Sequence, residues 1–112
     1  MKVKVSEASG AALDWMVGGC ENVEFTGSHT GIWFSPSGGM VPYCPSDDWE
    51  QGGPIIGDKG ISIIFHGQGH WTASNLHGTV CEEGPTPLVA AMRAYVFSKL
   101  GKEVEVPDEL TK

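Results

Sequence analysis

Two kinds of hydrophobic periodicity follow each other at the start of the chain, and they predict a strand and then a helix. Lys2–Val5 alternates polar and apolar residues one by one, which is typical of a short strand. Ser9–Val17 spaces its apolar residues along one helical face, and Ser9 is a candidate N-cap. The Gly18-Gly19 pair comes next, and we expect it to end this helix.

The clearest helical pattern lies near the other end of the chain. Thr86 is a candidate N-cap and Pro87 suits the first helical position, where its missing N–H costs nothing. An apolar stripe at helical spacing runs from there to Leu100. Gly101 is the expected stop, so the pattern predicts a helix of three to four turns.

Shorter apolar runs bounded by glycine, proline and serine predict the remaining strands. They are expected at Val23–Phe25, Ile32–Phe34, Ile61–Phe65, Trp71–Ser74 and around Val104 and Val106. The run HGQGH, from 66 to 70, predicts a hairpin loop between two of them. This order of elements predicts one α+β domain over 1–112, with a mainly antiparallel sheet packed against helices.

The charge of the chain excludes several classes of partner. Fourteen acidic residues against seven basic ones give a net charge of −7, and Arg93 is the only arginine. Duplex nucleic acid and anionic membrane surfaces both need clustered basic side chains, so neither is expected as a partner. No apolar run approaches the length of a membrane span, and the N-terminus lacks the apolar core of a leader, which predicts a cytoplasmic protein.

The cysteines and histidines do not have the spacing of a metal site. Cys20, Cys44 and Cys81 are odd in number and far apart, which predicts reduced thiols and no disulfide framework. His66 and His70 could face each other across the hairpin loop, but polar loop histidines are the simpler interpretation. We therefore expect no metal and no cofactor.

The sequence gives equally weak evidence for catalytic groups. Cys44 lies beside a candidate helix start, which can lower a thiol pKa, yet an idle cysteine is the commoner case. Asp47 and Asp48 could form an acid–base pair, but adjacent residues of a helix point in different directions. Asp47 and Asp48 are better explained as carboxylates that stabilise the start of a helix. We therefore expect that the protein is not an enzyme.

The stretch Tyr43–Ile56, YCPSDDWEQGGPII, holds most of the candidate site. We predict a short helix that is capped by Ser46 and ends at Gly52-Gly53-Pro54. Its start would expose N–H groups to an anion, its aromatic residues could stack on a base, and its glycines would let a ligand approach the backbone. The candidate ligand-binding residues are Tyr43, Ser46, Asp48, Trp49, Gln51, Gly52, Gly53, Thr86 and Arg93.

Each part of this site has a structural alternative. The stretch could be a rigid loop that Trp49, Ile55 and Ile56 pin into the core. Thr86 could expose N–H groups at the last helix, or simply cap it. Arg93 suits bidentate phosphate recognition, or it could be an exposed arginine beside an acidic neighbour.

Three segments resemble the NinX family of small proteins from lambda-like phages and prophages. They are the start MKVKVSE-x-SGAALDW, the central Y-x-PS-x-DW-x-QGGPII, and the final GPTPLVAAMRAYV-x-SKLG. Cys44 replaces an expected serine, and the glycines at 18 and 19 imply a shortened first helix. The resemblance implies a phage accessory protein of the host bacterial cytoplasm. The chain is also similar to the α-β-α sandwich domains of phages.

Three hypotheses for function follow from the residues and the resemblance. The first is a non-enzymatic sponge that sequesters a nucleotide-derived host immune signal, such as a cyclic oligonucleotide or an ADP-ribose derivative. The second is a protein-binding inhibitor or regulator of a host factor that acts through the acidic surface. The third is a small hydrolase of such a signal. The sequence leaves self-association into a homo-oligomer open.

Overall fold

The computed structural model describes residues 1–23, 26–28, 31–34 and 41–111. Its helices are α1 (Gly10–Glu21), α2 (Trp49–Lys59) and α3 (Pro87–Leu100), with short 3-10 helices at Val5–Glu7 and Asp108–Thr111. Its strands are β1 (Lys2–Lys4), β2 (Thr26–Ser28), β3 (Gly31–Phe34), β4 (Val41–Pro42), β5 (Ser62–Gly67), β6 (His70–Ser74), β7 (Cys81–Gly84) and β8 (Glu103–Glu105).

The strands form three small sheets, and every pairing in the described ranges is antiparallel. β1 pairs with β8, which brings the two ends of the chain together. The second sheet has the order β2-β3-β4 and the third the order β5-β6-β7. These pairings, together with the three helices, confirm the predicted α+β class and its mainly antiparallel strands.

Helix α3 lies at the centre of the domain, as its apolar stripe predicts. It packs on β5, β6 and β7 on one side and on α1 and α2 elsewhere. Its predicted ends are also correct: the Thr86 hydroxyl accepts from the Val89 N–H at 3.1 Å, and Gly101 follows the last turn. The sheet approaches α3 closely at Gly84, where an added Cβ would lie 2.6 Å from the Ala90 nitrogen.

The predicted end of α1 at Gly18-Gly19 is wrong. The helix continues to Glu21 and ends at Asn22, which has left-handed backbone dihedrals. Met16, Val17 and Gly18 are buried, and α1 packs along α3, so tertiary contacts outweigh the low helix propensity of the two glycines.

The predicted boundaries of α2 are wrong at both ends. Asp48 is the N-cap, with its carboxylate accepting from the Glu50 N–H at 2.9 Å, whereas Ser46 lies in the preceding turn. The helix then runs through Gly52-Gly53-Pro54 and ends at Gly60 in the left-handed region. Burial of this helix supplies the stability that two glycines and a proline remove locally.

The predicted strands agree with the structure in most places. Ile32–Phe34 falls inside β3, and the strands predicted at Ile61–Phe65 and Trp71–Ser74 correspond to β5 and β6, joined by a two-residue turn. Val23 lies outside any strand, and residues 24 and 25 lie outside the described residues. β2, β4 and β7 were not predicted, because none of them has an apolar run.

The sheet β5-β6-β7 has one covered face and one open face. Ala73 and Gly84 lie on the face that packs against α3. The opposite face presents Ile64, His66 and Thr72, and Ile64 is 56% exposed.

Candidate functional site

Tyr43 is part of the core and does not form an accessible stacking surface. Its side chain is buried in the main apolar cluster of the domain. Burial raises the pKa of its phenol, and the nearby carboxylates of Glu21 and Asp14 raise it further. Of the two aromatic residues predicted to stack on a ligand, Tyr43 is therefore the one that the fold encloses.

Ser46 is held by a buried carboxylate that the sequence analysis did not select. The Ser46 N–H donates to Oδ1 of Asp14 at 2.9 Å, and both residues are buried. Burial raises the pKa of Asp14 to about 6, although the hydrogen bonds from Ser46 oppose this rise. A single aspartate in the apolar run of α1 was the signal that could have found it. Because the Ser46 N–H is bonded to Asp14, it is not available to an anion.

Gln51 fastens the start of α2 to the chain that precedes it. Its Nε2 donates to the Pro42 carbonyl at 2.8 Å, and its Oε1 accepts from the Cys44 N–H at 2.7 Å. Both ends of the amide are thus satisfied within the protein. Asp48 is similarly occupied as the N-cap of α2, so neither side chain is free to read the edge of a base.

The two predicted glycines have different surroundings. Gly52 is buried, and an added Cβ would lie 2.3 Å from the Pro45 carbonyl oxygen and 2.7 Å from Leu88. Its role is the close packing of α2 against the start of α3. Gly53 is half-buried and lies beside the Trp49 ring, with 3.8 Å between an added Cβ and the nearest ring carbon.

Trp49 is the accessible aromatic residue of the predicted site. It occupies the first position of α2 and is 55% exposed. It therefore does not pin this stretch into the core, as the alternative interpretation as a rigid loop predicted. Ile55 of the same helix is buried and fills that role. An exposed tryptophan offers a large, rigid contact area that loses little conformational freedom on binding.

Thr86 and Arg93 bind other parts of the protein. The Thr86 hydroxyl caps α3. Arg93 donates through Nε to the Ala8 carbonyl and through Nη1 to the Glu83 carbonyl, each at 2.8 Å. Its guanidinium therefore joins the start of α1 to β7, and two of its donors are committed to backbone oxygens.

A cleft of about 480 Å³ lies between α2, the end of α1 and Tyr43, and it is acidic. Glu21, Glu50 and Asp58 contribute carboxylates to its lining, and the described lining residues include no basic side chain. Glu21 also accepts a hydrogen bond from the Tyr95 hydroxyl. Asp58 is paired with Lys59 at 3.2 Å, but the three carboxylates together still outnumber this cation, so the cleft repels a phosphate and attracts a cationic group.

The histidines and cysteines give no support to catalysis. The rings of His66 and His70 stack at 4.9 Å between centroids, and His70 Nε2 lies 3.4 Å from Glu83 Oε1. Within the described ranges, no three histidine, cysteine, aspartate or glutamate residues are grouped so that they could hold a metal ion. Burial raises the pKa of the Cys44 thiol, which is the reverse of nucleophile activation.

The residues that the structure brings together differ from the predicted set. The starts of α2 and α3 meet at Gly52 and Leu88, while Arg93 lies on the side of α3 that faces Ala8 and Glu83. None of the helices in the described part of the chain has the length and apolar content needed to cross a bilayer.

Comparison with known proteins identifies one family. The family model described as NinX of bacteriophage P22 matches residues 4–99, which is most of the chain. The match includes the whole central segment and most of the first and last segments on which the resemblance was based. No curated protein matches the chain significantly.

Proposed function

The chain belongs to the NinX family of bacteriophage proteins, and on that basis we propose that it is a non-enzymatic phage accessory protein that binds a partner protein in the host cytoplasm. The contact would be made by the exposed side of α2, which we call the α2 surface and define as Trp49, Glu50, Pro54 and Asp58. All four residues are exposed.

One observation carries this proposal: an exposed tryptophan and an acidic cleft occupy the same helix. Trp49 stands at the start of α2, and Glu50 and Asp58 of the adjacent helical face line the cleft. Aromatic residues are enriched at protein interfaces, where a few of them contribute most of the binding energy. An exposed aromatic beside carboxylates therefore favours a partner that is basic and partly apolar.

The charge of the chain is consistent with such a partner. A net charge of −7 speeds encounter with a basic surface and disfavours association with acidic proteins. An arginine or lysine of the partner over the Trp49 ring would add roughly 0.5–1 kcal/mol by a cation–π interaction. The partner we expect is a host protein with lysine or arginine in its contact surface.

The nucleotide sponge is the second candidate, and Trp49 is the observation in its favour, since the exposed ring could stack on a base. The phosphates of such a ligand need donors, however. The N–H of Ser46, the amide of Gln51 and two of the five donors of the Arg93 guanidinium are engaged within the protein. The cleft beside them would repel phosphate, so the protein-binding role has the stronger support.

The two candidates predict different molecules on the immobilised protein. We would expose the wild type, Trp49→Ala and Leu76→Ala to lysate of the bacterial host, wash each at increasing salt, and identify what is retained. Leu76 is a matched control, because it is also apolar and exposed but lies in the turn between β6 and β7. Denaturation followed by mass spectrometry would identify released small molecules in the same samples.

The expected result is a protein that the wild type and Leu76→Ala retain at low salt, and that Trp49→Ala loses. Loss of roughly 2 kcal/mol of binding energy, the size of a typical hot spot, would reduce retention about thirtyfold. A released nucleotide derivative with no such protein would instead support the sponge. Equal retention of the same protein by wild type and Trp49→Ala would contradict the role of the α2 surface.

A further inference from the structure

Strand β5 is an unprotected edge of the sheet β5-β6-β7. It pairs with β6 on one side, and no other strand in the described ranges pairs with it. Its sequence, SIIFHG, contains no charged residue and no proline. Ile64 and Phe65 are 56% and 60% exposed. Proteins usually protect such an edge with charged side chains, proline, a β-bulge or a very short strand. β5 has no charge and no proline and is six residues long, and its register shift lies between Phe65 and Gly67, past Ile64.

The other edge of the same sheet is protected. β7 carries Glu82 and Glu83, and the Arg93 guanidinium occupies the Glu83 carbonyl. Two charged side chains and an arginine therefore oppose the addition of a strand at β7. The contrast between the two edges indicates that β5 is the edge open for pairing.

We propose that β5 pairs antiparallel with β5 of a second copy of this chain, which would join two three-stranded sheets into one of six strands. A two-fold axis through Ile64 generates this pairing. The axis must lie on a residue rather than between two residues, because only then do the two faces of the sheet continue from one copy into the other.

This register matches the apolar residues of the two copies. Ile64 lies opposite Ile64 of the partner subunit on the open face, and Phe65 lies opposite Ile63 of the partner subunit on the face that contacts α3. Among the face-preserving registers, it is the one that gives all three apolar residues an apolar neighbour. The pairing would cover the exposed side chains of Ile64 and Phe65 and supply hydrogen-bond partners to the outer edge of β5.

The self-matching apolar register is the argument for a second copy as the occupant, and charge limits where two copies can meet. Two copies that each carry −7 repel one another, so a stable contact has to form where charged side chains are absent. The edge strands β1, β7 and β8 carry charged residues. The edge strands β2 and β4 carry none, but they have only three and two residues and β4 contains Pro42, whereas β5 has six uncharged residues. The dimer contact does not use the α2 surface, so it is independent of the proposed partner.

The test is the molar mass of the protein over a wide range of concentrations, measured by sedimentation equilibrium. We would compare the wild type with Ile64→Lys, which places a charge at the two-fold axis, and with Leu76→Lys, which places the same charge at another exposed apolar position. We expect the wild type and Leu76→Lys to dimerise. We expect Ile64→Lys to dissociate at least ten times more readily while keeping its circular dichroism spectrum.

Hydrogen exchange of the wild type gives a second measurement that needs no variant. Amides of β5 should exchange more slowly at protein concentrations where the dimer forms, and those of β7 should be unaffected. A wild type that stays monomeric at all concentrations would overturn the proposal. So would a folded Ile64→Lys that dimerises as well as Leu76→Lys, or β5 amides whose exchange does not depend on concentration.

Discussion

Asp14 shows how one buried residue can set the pH dependence of stability. Its carboxylate accepts the Ser46 N–H and thereby holds the turn that leads into α2. Burial raises its pKa from 3.8 to about 6, so the folded protein binds a proton there more tightly than the unfolded chain does. Its contribution to stability is therefore largest below about pH 4 and is lost as pH rises through about 6.

We predict that Asp14→Asn removes most of this pH dependence. The amide oxygen can still accept the Ser46 N–H, but the group no longer titrates. The free energy of unfolding of the wild type should fall by roughly 2 kcal/mol more than that of the variant between pH 4 and pH 7, since each unit of pKa shift corresponds to roughly 1.4 kcal/mol and part of the shift acts below pH 4. Urea unfolding at several pH values measures both profiles.

Comparing the two proteins cancels the contribution of Glu82, whose pKa burial also raises. Parallel pH profiles for wild type and Asp14→Asn would mean that Asp14 titrates normally in the folded protein. The turn before α2 would then depend on a different source of stability.

Single residues also explain how far the candidate site could be predicted. The Thr86 cap was predicted correctly, because its hydroxyl bonds the Val89 N–H three residues away in the sequence. The Ser46 and Arg93 contacts join residues 32 and 85 positions apart, and no local pattern encodes such partners. The residue types therefore identified hydrogen-bonding groups correctly. They did not show that these groups would bond to other parts of the protein instead of to a ligand.

At the scale of elements, glycine was the main source of error. Both α1 and α2 were predicted to end at glycine pairs, since glycine lowers helix stability by roughly 1 kcal/mol relative to alanine. Both helices continue because they pack on α3, and this packing depends on the whole fold. Helix α3 and its two ends were predicted correctly, because its signals are local and agree with one another.

We predict opposite effects for two glycines of α2. Gly52→Ala should destabilise the protein by roughly 2 kcal/mol or more, because the new methyl group would lie 2.3 Å from the Pro45 carbonyl oxygen. Gly57→Ala should stabilise it by roughly 0.5–1 kcal/mol, since no atom beyond its chain neighbours and the helix backbone lies within 4 Å of the new methyl group and alanine favours the helix. Thermal and urea unfolding of the two variants measure these changes.

This pair contains its own control, because both substitutions add one methyl group to the same helix. If Gly52→Ala were as stable as Gly57→Ala, α2 would not pack against Pro45 as described. If both were destabilising, the helix would not extend through Gly57.

At the scale of the whole molecule, the positions of the charged and apolar residues indicate which partner each surface fits. Arg93 joins α1 to β7, Lys59 forms an ion pair with Asp58, and Lys4 forms one with Glu7, so these three basic side chains already have internal partners. The α2 surface and its cleft are acidic, and the β5 edge is neutral and apolar. A basic partner at α2 and a second copy at β5 are the arrangement that this distribution favours.

The measurement that tests the central claim most directly is the affinity of the purified partner protein for the wild type and for the double variant Glu50→Gln/Asp58→Asn, at low and high salt. The variant keeps the shape of the cleft and removes two of its charges. We predict that the wild type binds tightly and loses affinity with salt, and that the double variant binds at least ten times more weakly, a difference of about 1.4 kcal/mol, with a smaller salt dependence. Equal affinity and equal salt dependence for the two proteins would contradict binding through the α2 surface.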